Sequence, residues 1–458
     1  MPGLLFAANL LLAFLPPPAA AQAESEVDLA PEAQPRGPLD ALGLRAGGSS
    51  GVRLSGFLVG SFSYNSRIQM VPEFAGGAPA LADAGSTNAR FDKFGFALAR
   101  TFAPWLSAAA AIEVENHRDR HSHGFNPAFG CPPPGADGGE AGPPQPCIER
   151  FGSEEAEFEV NLDRFNFTLV APMGNGLALS LARFDVPFGI ERHDEPLLLT
   201  ATTSEVFRYG RPERGTGLLG TYAFSPLFDV TAWVVNRWEN ETADAEGGFN
   251  DNNDGKTFGG RIGFTPLPRE GLLALGIGGG VGPEQDDDDS DLRWVLDGDW
   301  SWTPFPDLLV AGEVVYGGED DREMRERGIP FATPASVEDA SWFGFYVLAH
   351  QELNDWLGVS LRYGYFDDTD GSQTGVEQVL QSITVCPVAH LSRLVPDLRP
   401  TGAAYARTRH PIDWVDVKLE YRFNRSNEDV FSDAEPAVDV PAADRSSHQL
   451  QLQVVVNL

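Results

Sequence analysis

The stretch NDNNDGKTFGGRIGFTPLPREGLLALGIGGGVGPE, from Asn250 to Glu284, contains one complete β-hairpin with both of its connections. Residues 250–256 are all turn formers, and from Thr257 to Thr265 small or polar residues alternate with phenylalanine in a run too rich in glycine for a helix. Pro266 ends this strand because proline cannot donate a hydrogen bond to a β-ladder. The pattern therefore predicts two strands with a short turn at one end and a long polar loop at the other.

The same succession of strand, short turn, strand and long loop recurs along most of the chain. Short connections such as 102–104 and 266–270 alternate with long ones that are polar and often acidic. The sequence predicts about sixteen strands, an even number typical of barrels in bacterial outer membranes. They are expected at 52–64, 90–101, 106–116, 155–170, 177–188, 217–224, 228–237, 257–265, 272–281, 292–303, 308–317, 342–352, 356–367, 379–390, 413–424 and 448–458. The connection at 391–410 is long where the alternation predicts a short turn.

Alternation within single strands separates a charged face from an apolar face. Between Asp413 and Asn424, charged residues share one side, and valine, leucine and aromatic residues share the other. A soluble β-sandwich shows the same alternation with its apolar face turned inward, so periodicity alone leaves both folds open. Aromatic residues at strand ends favour an all-β, antiparallel up-and-down transmembrane barrel with short periplasmic turns and long extracellular loops. These aromatic residues are Phe102, Trp105, Phe224, Phe228, Trp300, Trp302 and Trp356.

The N-terminal composition predicts export from the cytoplasm. An apolar run from Leu4 to Leu15 is too short to span a bilayer and precedes Ala21-Gln22-Ala23, a plausible cleavage motif. We interpret residues 1–23 as a signal peptide, 24–50 as a flexible acidic and proline-rich periplasmic linker, and 51–458 as the barrel. Past the signal no apolar run approaches the roughly 18 residues of a spanning helix, so a chain that crosses the membrane must do so as a barrel.

The charge balance excludes one class of partner. The chain has 66 acidic and 33 basic residues and a net charge of -33, whereas nucleic-acid binding depends on cations that neutralise phosphates. The segment Gly215–Gly220 fits the letters of a dinucleotide fingerprint, but it begins a strand and lacks the helix that would hold a pyrophosphate. We therefore expect no nucleic-acid partner and no cofactor.

Histidine and cysteine residues in one long loop offer two smaller hypotheses. His117, His121 and His123 could share a transition metal, although histidines in exposed loops are commonly unliganded. Cys131 and Cys147 bracket a segment rich in proline and glycine in a chain bound for an oxidising compartment, so a disulfide is favoured over two free thiols. Cys386 is then left as a buried or lipid-facing thiol of a strand.

Several motifs, in this order, resemble the OmpL-like family of outer-membrane porins and, more distantly, the phosphate-selective porin O and P family. They are GLALSLARFDVPFG at 176–189, RPERGTG at 211–217, Asn236-Arg237-Trp238, DNNDGKT at 251–257, GPEQ at 282–285 and LEYRFNRSNEDVF at 419–431. The resemblance implies a barrel that lies in outer-membrane lipid and admits small solutes to the periplasm. Porins of this size are often homotrimers. Lys93, Lys256 and Lys418 are the only lysines, so no lysine ladder for phosphate is expected.

The third long loop is the expected constriction, by resemblance to large porins and by counting hairpins. In this hypothesis arginines of the loop face acidic residues of the wall across the pore, and the acidic excess makes the channel weakly cation-selective. The alternative is a solvated cap outside the barrel whose charges pair among themselves. The loop arginines are Arg192, Arg208, Arg211 and Arg214, the wall acids are Glu113, Glu115, Glu157 and Glu159, and a further inward face carries Asp416, Lys418, Glu420 and Arg422.

Three functions follow from these observations. A passive diffusion porin is favoured, since about sixteen strands enclose an aqueous lumen and the inward faces are polar. A structural or adhesive barrel without conductance is the second hypothesis. A barrel enzyme is the third, and it is disfavoured because only eight histidines are present and no serine, histidine and acid lie on convincingly placed strands.

Overall fold

The computed structural model describes residues 52–69, 87–117, 157–239, 253–267, 273–285, 288–324, 336–395, 413–432 and 444–457. Sixteen of its strands form one closed antiparallel barrel. They are β1 Val52–Asn65, β2 Thr87–Ala103, β3 Leu106–His117, β4 Glu157–Ala171, β5 Leu177–Asp185, β6 Arg214–Ser225, β7 Phe228–Val235, β8 Thr257–Leu267, β9 Leu273–Pro283, β10 Leu292–Phe305, β11 Leu308–Met324, β12 Ser336–Asn354, β13 Leu357–Asp368, β14 Gln378–His390, β15 Val415–Ser426 and β16 Ser446–Asn457.

Each strand pairs with its neighbours in sequence, and β1 closes the barrel against β16. The expected fold class and the sixteen expected strands are confirmed. The long connection after β14 begins with a single helical turn, Leu391–Leu394, and β14 nevertheless pairs with β15. The signal peptide and linker expected at 1–23 and 24–50, together with Cys131 and Cys147, lie outside the described residues.

The two faces of the barrel strands differ in polarity, as β16 illustrates. Gln451 and Gln453 point inward and are 5% and 2% exposed, whereas Leu450 and Leu452, which alternate with them, are 46% and 40% exposed. A soluble sandwich would bury the leucines and expose the glutamines. Exposed aromatic side chains lie at the ends of the strands beside the short turns, where a membrane interface would place them. They include Phe102, Trp105, Phe224, Phe305 and Trp356.

Two β-bulges interrupt the alternation on neighbouring parts of the wall. The register between β1 and β2 shifts after Val59, which leaves Asp92 as an extra residue beside Lys93. The register between β3 and β4 shifts after Ala111, which leaves Asp163 as an extra residue beside Arg164. Each bulge changes the parity of its strand and brings charged side chains together on the inner face.

Few elements lie outside the barrel sheet. A two-residue strand pair, Ile68–Gln69 with Phe431–Ser432, forms a separate two-stranded sheet. A 3-10 turn at Glu195–Leu197 and a π-helical turn at Val206–Gly210 belong to the connection between β5 and β6. Within the described ranges, no helix is both long enough and apolar enough to cross a membrane.

Candidate pore constriction

Residues 186–213, which connect β5 to β6, fold into the barrel; we call them the inner loop. Four of its apolar side chains, Val186, Phe188, Val206 and Tyr209, are buried although the surrounding inner face is largely polar. Its polar groups contact β2 to β4 on one side and β11 to β15 on the other. The loop therefore reaches across the lumen between two parts of the wall.

An apolar seat holds the two ends of the inner loop. The ring of Phe188 lies edge-on to Trp233 of β7 at 5.5 Å between centroids, and Tyr209 packs on Phe366 of β13 at 5.8 Å. Trp342 of β12 donates its indole N–H to the carbonyl of Gly210 at 2.9 Å. Burying one such aromatic side chain stabilises a protein by about 1.5–3 kcal/mol, so the seat alone favours a folded-in loop.

Hydrogen bonds and ion pairs from β13, β14 and β15 form a second attachment, which we call the latch. Its centre is Arg362, a fully buried guanidinium on β13. Nη1 of Arg362 donates to Oε1 of Glu191 at 2.8 Å and to Oγ1 of Thr200 at 2.9 Å, and Nη2 donates to the carbonyl of Thr203 at 2.9 Å. One wall side chain thus binds both the beginning and the middle of the inner loop.

Strand β15, which is separated from β13 by β14, completes the latch with three side chains. Glu420 accepts hydrogen bonds from the backbone N–H groups of Ala201 at 2.7 Å and Thr202 at 3.2 Å. The ammonium of Lys418 donates to three loop carbonyls, and Arg422 pairs with Oε1 of Glu205 at 2.5 Å. The three side chains of β15 therefore bind loop groups from Glu195 to Glu205.

The pKa of Glu205 reports the electrostatics of the latch. Burial would raise this pKa, but the positive charges of Arg422 and Arg362 outweigh burial and hold it below the ordinary value. The Glu205 carboxylate consequently stays ionised, and paired with Arg422, into more acidic solution than an ordinary glutamate.

Arg211 lies between the latch and the apolar seat. Its Nε is 2.6 Å from Oε1 of Glu313 on β11, and its guanidinium lies 4.6 Å from the ring centroid of Phe207. Gly189 approaches the same glutamate so closely that an added Cβ would sit 1.7 Å from Oε2. Its φ of +56° is in the left-handed region that glycine adopts without strain.

The opposite side of the inner loop contributes His193, Asp194 and Glu195 to a group of charged residues that also includes side chains of β2 to β6; we call this group the acidic cluster. Lys93 lies 3.2 Å from Glu113, 3.0 Å from Nε2 of His193 and 3.5 Å from Glu195. Arg164 pairs with the carboxylates of Asp163, Asp185 and Asp194, and Arg214 pairs with those of Asp163 and Asp185. Burial raises the pKa of Asp194 in spite of the opposing charge of Arg164.

The structure places the four arginines expected in the loop in different environments. Arg192 donates to the carbonyls of Phe188, Gly189 and Glu191, and Arg208 stacks 5.6 Å from the ring of Tyr209. Arg214 is the first residue of β6 and pairs with other strand residues. Among the described ion pairs between loop and wall, the pair of Arg211 with Glu313 has the expected arrangement, in which an arginine of the loop faces an acid of the wall.

Most other ion pairs between the inner loop and the wall join a cation of the wall to a carboxylate of the loop, because the wall itself contributes buried cations. These cations, Lys93, Arg164 and Arg362, are absent from the expected constriction residues, as are Asp163 and His193. Arg362 does occupy an inward position of its strand, so alternation could have identified its face. Nothing in the local sequence indicates their loop partners, since Arg362 and Glu191 are 171 residues apart.

The remaining expected side chains divide into those that the structure describes and those that it does not. Asp416, Lys418, Glu420 and Arg422 lie on the inner face, and the inner loop covers the last three. Cys386 is buried on the inner face of β14. Backbone register pairs Glu115 with Glu159 and His117 with Glu157, but these four side chains lie outside the described part, as do His121 and His123.

One further carboxyl group lies in the wall of the lumen. Asp297 on β10 is buried, and the carboxyl group of Glu313 is among its neighbours. At the latch, positive and negative side chains balance one another, whereas elsewhere in the constriction carboxyl groups outnumber cations.

Comparison with known proteins identifies a matching family model and solved structures with a similar fold. A family model described as "Putative beta-barrel porin-2, OmpL-like" matches residues 110–440. Solved structures with a similar fold include the outer membrane channel DcaP of Acinetobacter baumannii, with 12% identity, a TM-score of 0.50, and coverage of 90% of this chain and 99% of that one. An anion-selective porin from Comamonas acidovorans has 13% identity, a TM-score of 0.49, and coverage of 90% and 100%. No curated protein matches the sequence.

Proposed function

The chain belongs to the OmpL-like family of β-barrel porins, and from this membership we propose that it forms a water-filled channel for passive diffusion of small hydrophilic solutes or ions. The channel would lie in the outer membrane of a Gram-negative cell, with the exposed apolar band of the barrel against lipid. The observation that carries the proposal is the inner loop, which is held across the lumen by charged contacts on both sides. Such a loop narrows a wide barrel without closing it by a lid.

Selectivity in this proposal arises at the constriction. The residues Glu113, Asp163 and Glu313 of the wall, with Asp194 of the loop, set a negative potential at the constriction. Lys93, Arg164 and Arg211 offset part of that potential, so the preference for cations is weak. Salt screens charges over a Debye length of roughly 10 Å at 0.1 M, so the preference fades at high ionic strength.

Planar-bilayer recording of the purified protein tests this function. Discrete open-channel steps are expected, with reversal potentials across a salt gradient that indicate a modest cation preference at low salt. A clear anion preference contradicts the selectivity. The absence of any step contradicts the porin and supports a structural barrel, and turnover of ester or peptide substrates would support an enzyme.

The oligomeric state belongs to the same proposal. We propose a homotrimer, since porins of this size often form one. Crosslinking of the protein in native outer membranes should give a ladder that ends at the trimer. A ladder that stops at the monomer contradicts the trimer and leaves the channel in each barrel unaffected.

Two predictions concern residues outside the described part. Residues 1–23 should be removed on export and 24–50 should precede the barrel as a linker, and N-terminal sequencing of protein from outer membranes should begin at Glu24. Cys131 and Cys147 should form a disulfide, so neither should react with a thiol reagent before reduction. Labelling of both cysteines in unreduced protein contradicts the bridge.

A further inference from the structure

The acidic cluster contains three side chains of the kinds that bind transition metals. We propose that Glu113, Asp163 and His193 form a binding site for a divalent transition-metal cation, with Zn²⁺ as the test ion, at the constriction. The two carboxylates come from adjacent wall strands, β3 and β4, and the imidazole comes from the inner loop. The site deepens the proposed function by naming an ion class that the channel recognises, and only its effect on conductance rests on that function.

The ligand atoms already converge. One carboxylate oxygen from each of Glu113 and Asp163 and one ring nitrogen of His193 lie within 4.8 Å of one another. Zinc binds oxygen and nitrogen ligands at about 2.0–2.2 Å, which places the ligands of one ion a little over 3 Å apart. The three side chains therefore need to close by about 1 Å or somewhat more, a movement within the reach of side-chain rotation.

Unsatisfied atoms mark the same position. Glu113 is 2% exposed, and its Oε1 has no hydrogen-bond partner among the described residues. The buried Asp194 beside it also has one oxygen, Oδ1, without a partner there. A buried acceptor left unpaired destabilises a folded protein, and more so when it is charged, so a cation at this position would remove a penalty that the protein otherwise carries.

The charge balance fits a divalent ion. Five carboxylates and three cations belong to the cluster through the ion pairs described above, so two negative charges remain without a counterpart in that set. Buried ions are stable when paired, and one divalent cation supplies the missing charge. Imidazole nitrogen with carboxylate oxygen favours zinc, manganese, iron or nickel over calcium and magnesium, which prefer oxygen ligands alone. The carboxylates are Glu113, Asp163, Asp185, Asp194 and Glu195, and the cations are Lys93, Arg164 and Arg214.

Lys93 keeps this site weak. Its ammonium contacts both Nε2 of His193 at 3.0 Å and Oε2 of Glu113 at 3.2 Å, so it competes directly with a metal for two of the three ligands. An ion must also leave a conducting pore, which requires binding of limited strength. By weakening metal binding, Lys93 would allow the bound ion to dissociate and exchange.

Isothermal titration calorimetry with Zn²⁺ tests the site. The sample is purified, full-length protein without a histidine tag, in detergent and excess Mg²⁺. The wild type should bind one Zn²⁺ at this site in the micromolar range. His193→Asn should weaken that binding by about tenfold or more, because one of three protein ligands is lost. His448→Asn, which alters an exposed histidine on the outer face, is the matched control and should leave the affinity unchanged.

Lys93→Met gives a second test with the opposite sign. Removal of the competing ammonium should tighten Zn²⁺ binding by about tenfold, whereas a purely structural ion-pair cluster predicts no gain in affinity. Heat-modifiable migration on gels checks that each variant is folded. An unchanged affinity in His193→Asn, or no gain in folded Lys93→Met, overturns the proposal.

Conductance separates this proposal from the porin function. If zinc binds as expected and no channel steps appear, the metal site stands and the porin function fails. If steps appear and calorimetry detects no zinc dependent on His193, the porin function stands and the metal site fails.

Discussion

The latch and the acidic cluster hold the same inner loop from opposite sides, and they differ in how their charges are matched. At the latch, Arg362, Glu420 and Lys418 each bind several loop groups, most of them backbone atoms. In the acidic cluster, contacts join side chain to side chain, and carboxylates outnumber cations. The latch fixes the position of the loop, and in the proposed channel the acidic cluster would be the region that attracts ions.

The largest expected effect comes from breaking the latch with Arg362→Ala. Glu191, which is 3% exposed, would lose its ion-pair partner, and removing one member of a buried pair costs about 3–5 kcal/mol. The inner loop should then detach at this end, and single-channel conductance should rise. Bilayer recording and the midpoint of heat-modifiable gel migration measure the two effects.

Arg445→Ala is the matched control for that change. Arg445 pairs with Asp429, but its side chain is 60% exposed, and exposed pairs are worth about 0–1 kcal/mol. Conductance and melting should match those of the wild type. Equal behaviour of both arginine variants would contradict a special role of the latch.

A smaller effect is expected from Gly189→Ala, which acts beside the latch without removing a charge. The left-handed backbone costs an alanine on the order of 1–3 kcal/mol, and the new methyl group would push Glu313 away from Arg211. Conductance should become noisier as the loop moves between positions. Gly280→Ala is the control, because a Cβ there meets its nearest atom at 3.5 Å; equal noise in both variants would remove this explanation.

On acidification, the latch and the acidic cluster should change at different pH values. The pKa of Glu205 at the latch lies below the ordinary glutamate value of about 4.3. The contribution of Glu205 to loop docking is therefore complete above a pH of about 4.3, and it is lost only when the pH falls through the lower pKa of the folded protein. The pKa of Asp194 lies above its ordinary value of about 3.9, so this cluster carboxylate takes up its proton earlier on acidification. Cation preference should therefore weaken at a higher pH than that at which conductance rises. A simultaneous change in both quantities would show that the regions are not independent.

The smallest effect should follow Glu113→Gln, which removes one negative charge from the acidic cluster and leaves the latch intact. The ratio of cation to anion permeability at low salt should fall by roughly half, with little change in conductance, because a single charge in a partly screened lumen shifts the potential modestly. Asp429→Asn, at an exposed position, is the control. A drop of equal size in the control would assign selectivity to the mouth of the channel.

The strands were predictable and the contacts of the inner loop were not, for physical reasons that these residues illustrate. Period-two alternation and proline turns are local, so they located all sixteen strands and the inward face of Glu113. The bulges at Asp92 and Asp163 shift the alternation by one residue, which obscures the inward positions of Lys93 and Arg164. The latch joins residues more than 150 positions apart, and no local pattern encodes that pairing.

If the docked inner loop sets the width of the channel, the size of the solutes that enter should depend on the attachment of the loop. Proteoliposomes that contain the wild type or the double variant Arg362→Ala/Arg422→Ala are mixed with neutral sugars of increasing size, and the rate of swelling is measured. We predict a steep fall in rate with sugar size for the wild type and admission of larger sugars by the double variant. Identical size cut-offs for the two proteins would contradict the account.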